Sequence, residues 1–199
     1  MSRLPLLRPG ELDGEQRALY EAITDGRRTT GPQHFRLRHD DGSLAGPFNV
    51  LLHAPVIGAH VSSLGEAIRF DTSLEARERE IAILAVAVSR QASYEWYAHE
   101  RLGRACGLTH EELEGLRRGD GIAVSSARSA IVHLVAATLA SGRRLDDAEY
   151  GRAVDELGET GLVELVTLVG YYVMLATLLD AFAVGVPEGD DPFGGEGRT

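Results

Sequence analysis

The sequence predicts an all-α protein, and three observations carry that prediction. After residue 46, apolar residues recur at helical spacing through almost the whole chain. The ends of these stretches carry helix-terminal chemistry: residues 72–75 and 109–112 both fit a capping box, and Gly107 and Gly142 stand where helices end on a left-handed residue. No Pro/Ser-rich linker and no repeat of fixed period divides the helical part. The expected organisation is an N-terminal helix and arm over residues 1–45, a helical domain over 46–185 and a flexible tail over 186–199.

Each element has a local reason. Leu12, Leu19, Tyr20 and Ile23 predict an amphipathic helix over about residues 12–25, stopped by Gly26. Residues 26–46 are polar and Gly-rich, and Phe35 and Leu37 followed by Asp41 and Gly42 suggest a small hairpin or an ordered loop. Pro47 opens a short helix near 47–53, and Pro55 another to about 69. Helices are then expected over about 74–91, 94–106, 109–118, 125–140, 147–157 and 162–184. The run at 165–179 is too short for a membrane span, so it reads as a buried helix.

Composition narrows the function. The 199 residues carry 30 acidic and 20 basic side chains, a net charge of −10, which argues against nucleic acid or an anionic membrane surface as partner. One cysteine, Cys106, cannot close an internal disulfide. The first ten residues lack the apolar run of a signal peptide, so a cytoplasmic protein is expected.

The chemistry concentrates in residues 77–108. On a helical wheel Glu95, His99, Leu102 and Cys106 fall within an arc of roughly 60°, with Glu100, Arg101 and Arg104 opposite. Glu80 lies on the same stripe as Leu84 and Ala87, in a segment that is apolar all round from Ile81 to Val88. Three ionisable groups thus point toward low-dielectric surroundings, where they must pair, shift their pKa or open onto a cavity. Glu95 and His99, four residues apart, are within reach of each other. Such a pair either shuttles a proton to a substrate or holds two helices in register as a satisfied buried pair. A di-iron bundle would need Glu-x-x-His in duplicate, and no second copy is present; no metal is expected. His53, between two prolines, either lines a pocket or caps a helix. His60, His110 and His133 have no partner by spacing, Tyr171 and Tyr172 read as core aromatics of which one hydroxyl reaches a cavity, and Cys106 reads as an inert buried thiol.

These residues resemble the carboxymuconolactone decarboxylase family, within the alkylhydroperoxidase D-like superfamily. The resemblance spans roughly residues 44–184, through Gly46-Pro47-Phe48-Asn49, Arg79-Glu80-Ile81, Tyr94-Glu95-Trp96-Tyr97-Ala98-His99, Ala105-Cys106-Gly107 and Gly170-Tyr171-Tyr172. It implies an alkylhydroperoxidase D-like helical bundle that assembles as a homotrimer or homohexamer. In the peroxidase branch a glutamate precedes a Cys-x-x-Cys pair, and a histidine follows after three more residues. Counted from Glu80, those cysteine positions hold Ala92 and Glu95, with His99 in place. Dithiol peroxide reduction therefore lacks both thiols. The decarboxylase branch implies a cofactor-free lyase acting on a small lactone or organic acid. In it His99 is the proton donor, Glu95 its orienter and Glu80 a second acid/base or a polariser of the lactone. Tyr94, Trp96, Asn49 and His53 are the substrate-binding candidates, Arg77 and Arg79 the cations nearest to hand, and the arm is a possible lid.

Overall fold

The computed structural model describes residues 2–30, 32–119, 126–187 and 192–193. Helices account for every long element: α1 Gly14–Thr24, α2 Pro47–Leu52, α3 Pro55–Phe70, α4 Ala76–Arg90, α5 Ser93–Ala105, α6 His110–Arg118, α7 Ala127–Ala140 and α8 Asp147–Ala181. The all-α expectation holds. Among the described residues the extended structure amounts to one antiparallel bridge, Arg38 with Leu44, around a turn at Gly42. That is the small hairpin suggested by the sequence.

α4 is the centre because it has no polar face in its middle: Ile81 through Ala87 are all buried. It packs against α5, α7 and α8. α8 is long and apolar enough to cross a membrane by length and composition. In this fold it lies along α4 and α7, burying Leu162, Leu165, Leu168, Val169 and Leu175. Its path breaks at Gly158 (φ 70°, ψ 168°), where two expected helices meet without a loop between them.

Helix ends follow side-chain chemistry, with one departure from expectation. Thr109 and Glu112 form the predicted capping box, and Gly107 and Gly142 are left-handed. Residues 72–75 do not form one. The Glu75 amide donates instead to Glu78 at 2.9 Å, so α4 starts at Ala76. Thr72 donates its hydroxyl back to the Ile68 carbonyl at the end of α3 (3.1 Å). The buried Glu78 also accepts from Arg128 of α7 at 2.6 Å, pinning α7 to α4. Of the expected helix at 125–140, Ser125 lies outside the described residues, as does most of the expected tail; Phe193, which is described, packs edge-on against Trp96 at 5.7 Å.

The arm is part of the packed body. Leu12, Leu19 and Ile23 bury against Leu44, Phe48, Leu51 and Leu52 in a second core, and Val61 and Leu178 touch both cores. The N-terminal segment is tied along its length: the Arg3 amide donates to the Phe182 carbonyl beyond α8 (2.8 Å), and the Leu7 amide donates to Asn49 (3.0 Å). This packing sets Arg28, Pro32, Phe35 and Leu37 beside Tyr94, Glu95 and Ala98 of α5 around one cavity.

Candidate active site

The two residues between α4 and α5, left-handed Gln91 (φ 49°) and Ala92, force α5 to fold straight back on α4. Glu80 of α4 and His99 of α5 then face each other. His99 Nδ1 lies 2.7 Å from Glu80 Oε2, and His99 Nε2 lies 3.5 Å from Glu95 Oε2. All three side chains are buried. A carboxylate at Nδ1 makes that nitrogen the N–H donor and leaves Nε2 with its lone pair toward Glu95. Tyr172 of α8 packs edge-on against the imidazole at 5.1 Å and fixes the ring plane.

Glu95 is the unusual member. Its Oε1 is buried without a hydrogen-bond partner, and its contact with His99 is longer than a well-formed hydrogen bond. Burial raises its pKa from 4.5 to about 7; the charge of Glu80 pushes the same way, and His99 opposes. The carboxyl therefore gains and loses its proton near neutrality.

His99 and Glu95 open onto a cavity of about 70 Å³, room for several waters or a small organic molecule. Phe35, Leu37, Phe48, Leu51, Leu102 and Leu175 supply apolar walls. Polar groups converge from three directions: Tyr94 from α5, Tyr171 and Tyr172 from α8, and Arg28 and Arg69 from the arm and α3. Three buried polar atoms in the described structure lack a partner, Glu95 Oε1, the Tyr94 hydroxyl and Arg28 Nε, and all belong to residues lining this cavity. Desolvation raises the Tyr94, Tyr171 and Tyr172 phenols above their ordinary value, so they serve as neutral hydrogen-bonding groups.

The structure thus brings together Glu80, Glu95, His99 and Tyr94, and moves other candidates elsewhere. Asn49 and His53 do not line the cavity: both hold the N-terminal segment, Asn49 Nδ2 donating to the Pro5 carbonyl (3.0 Å) and His53 Nε2 lying 3.0 Å from the same oxygen. Trp96 faces the core on the far side of α5. Arg77 is engaged by Glu112 and the Gly107 carbonyl, and Arg79 by the Leu74 carbonyl. Cys106 is half-buried at the end of α5 rather than sealed in the core, and burial raises its thiol pKa. His60 and His110 are exposed and His133 half-buried, outside the cavity. Among the described residues no group of three or more His, Cys, Asp or Glu side chains is arranged to hold a metal ion.

Sequence reasoning missed Arg28 and the wall from Pro32 to Leu37, which sit in a segment without periodicity. Gly65 offered a signal: it is a glycine inside the continuous helix α3, and a Cβ there would strike the Tyr171 hydroxyl and come 2.9 Å from Arg28 Nη2.

Solved structures share this fold. A variant of the debrominase Bmp8 in complex with 2,3,4-tribromopyrrole superposes with a TM-score of 0.73 over 95% of each chain at 9% identity. An alkylhydroperoxidase AhpD core, an uncharacterized peroxidase-related protein from Ralstonia eutropha JMP134, gives 0.72 at 14% identity, covering 96% of this chain and 94% of that one. A protein of unknown function from Agrobacterium tumefaciens gives 0.60 at 15% identity, covering 70% of this chain and 96% of that one. The fold is therefore alkylhydroperoxidase D-like. Residues 55–139, the part of the chain that carries Glu80, Glu95 and His99, match the model of the carboxymuconolactone decarboxylase family. No curated protein matches the sequence significantly.

Proposed function

We propose that the cavity is the active site of a cofactor-independent acid–base enzyme, which decarboxylates, or moves a proton on, a small oxygenated organic acid or lactone. The observation that carries this reading is the unpaired Glu95 Oε1, buried beside a cavity and 3.5 Å across its other oxygen from an imidazole that Glu80 already holds. A purely structural pair would close that gap and satisfy both oxygens. A proton relay leaves it open for a substrate.

In this reading the roles differ from those expected from spacing. Glu80 orients His99 through Nδ1, and Glu95 and His99 Nε2 exchange the working proton. For a lactone acid, the bond to the carboxylate carbon breaks and CO₂ leaves. The electron pair passes into the conjugated carbonyl as a dienolate, and a ring carbon takes a proton from protonated Glu95 through His99. Solvent then returns the proton to Glu95.

The Bmp8 neighbour's tribromopyrrole is a small ring, which supports a substrate of that size. Self-association into a trimer or hexamer belongs to the same proposal, and the exposed Val56, Ile57, Val163 and Val166 on α3 and α8 support it. The test is incubation of the purified protein with five-membered lactone acids in D₂O, without added metal or cofactor. CO₂ release with one deuterium fixed per turnover, lost in His99→Ala, is expected. With no thiol among the lining residues, hydroperoxide should not be consumed with a dithiol donor. Robust dithiol-dependent peroxide turnover, or deuterium incorporation unchanged in His99→Ala, contradicts the proposal.

A further inference from the structure

We propose that Arg28, delivered by the N-terminal arm, is the residue that binds the substrate's carboxylate, so that the arm sets a preference for small monoanionic acids over their neutral counterparts. This inference rests on the cavity being a substrate site, as proposed above.

Arg28 is a cation placed but not neutralised. Its Nη2 donates to the Ser62 carbonyl of α3 (2.6 Å), it hydrogen-bonds with the Tyr171 hydroxyl, and its guanidinium lies over the Phe48 ring at 5.4 Å. These contacts fix the planar head in one orientation. None is a carboxylate, and among the described residues no acidic side chain pairs with Arg28, in a protein of net charge −10. One N–H, at Nε, is buried without an acceptor in the cavity lining. A buried charged donor left open is costly unless a ligand supplies the acceptor. A carboxylate is the chemistry that matches, because its two oxygens meet an arginine fork in its own plane.

The remaining orphan atoms describe the other end of the ligand. The Tyr94 hydroxyl and Glu95 Oε1 offer a donor–acceptor pair for a ring or carbonyl oxygen, and the walls between are apolar. Tyr171 joins the two ends: it hydrogen-bonds with Arg28 and feels the charge of Glu95. Gly65 makes this junction possible, since any side chain there would push Tyr171 and Arg28 apart. Arg69 lines the same cavity, stacked against its neighbour Phe70 at 5.7 Å, and is the internal control for a general positive potential. Arg28 lies outside residues 55–139, so the family-matched segment holds the acid–base trio while the arm adds the recognition.

The test uses the full chain and an isosteric pair of probes, 2-furoate and 2-furamide, titrated calorimetrically. The wild type should bind the acid at least 10-fold more tightly than the amide. Arg28→Gln should lose at least 10-fold for the acid with less than 2-fold change for the amide, while Arg69→Gln keeps the preference. Arg28→Lys, which keeps the charge but not the Nε–H, should fall between and serves if the glutamine variant does not fold. Equal affinity for the two probes in the wild type, binding of neither, or an acid preference that survives Arg28→Gln overturns the assignment. Binding needs no turnover, so the outcomes separate: loss of the acid–base reading alone leaves the Arg28-dependent preference intact, and loss of the Arg28 assignment alone leaves His99-dependent deuterium incorporation intact.

Discussion

Glu95→Gln should cut the proposed turnover by orders of magnitude and, at pH 8, make the folded protein more stable. The two effects have one cause. The folded chain holds the Glu95 proton up to about pH 7, against an ordinary value of 4.5, chiefly because the carboxylate is buried. Between those limits the native state binds a proton that the unfolded chain has released. Stability therefore falls as pH rises from 4.5 through 7, and the loss is complete above that window. At about 1.4 kcal/mol per unit, the ionised carboxylate costs the fold up to about 3 kcal/mol. Glutamine keeps the shape without the charge. Denaturant melts of the two proteins should coincide near pH 4.5 and diverge by up to about 3 kcal/mol, glutamine variant higher, by pH 8. On the proposed mechanism, loss of the Glu95 carboxyl should lower kcat about 10²–10⁴-fold. A variant less stable than wild type at pH 8 would show that Glu95 is a stabilising partner of His99 instead.

Gly46→Ala should be among the most damaging single substitutions in the chain. Gly46 has φ 60° and ψ −138°, a backbone region costly for any residue with a Cβ, and a Cβ there would fall within the Tyr94 ring. Strained backbone and forced repacking each cost about 1–3 kcal/mol, so a loss of roughly 2–6 kcal/mol in a denaturant melt is expected. Tyr94 would also leave the cavity. The double variant with Tyr94→Ala removes the clash but not the backbone strain, and should be less impaired than additivity requires. A Gly46→Ala protein within 0.5 kcal/mol of wild type, the ordinary range of surface changes, would mean that Tyr94 is not held by the approach of α2.

The residues that do the proposed chemistry were legible because they break a pattern. Glu95 and His99 stand on the apolar stripe of α5 and Glu80 on that of α4, where a charge is conspicuous. Their pairing was not legible: a spacing of four favours Glu95 with His99, whereas the shorter bond, from Nδ1 to Glu80, spans nineteen positions and depends on how α5 folds back on α4. The same limit hid the arm. Asn49 and His53 looked like pocket residues, yet they grip Pro5 and Leu7 more than forty positions away. Arg77 looked available because its acceptors, the Gly107 carbonyl and Glu112, lie 30 and 35 positions away, whereas Arg79 is held locally by the Leu74 carbonyl five positions before it. Arg28 lies in a Gly- and Thr-rich stretch without periodicity, where no face can be assigned before the chain is folded. Helix boundaries departed from expectation at α4, where Thr72 turns back to the end of α3 and Glu78 supplies the cap, and at Gly158, where two expected helices run on into one.

The most direct measurement of the central claim is a titration of Glu95 itself. Protein labelled with ¹³C at glutamate side-chain carboxyls, with Glu95→Gln to assign the resonance, reports its protonation residue by residue. The account predicts a Glu95 midpoint near 7 that shifts when His99 is replaced by alanine. A Glu95 resonance fully ionised at pH 5, with a midpoint in the ordinary carboxylate range, would contradict it.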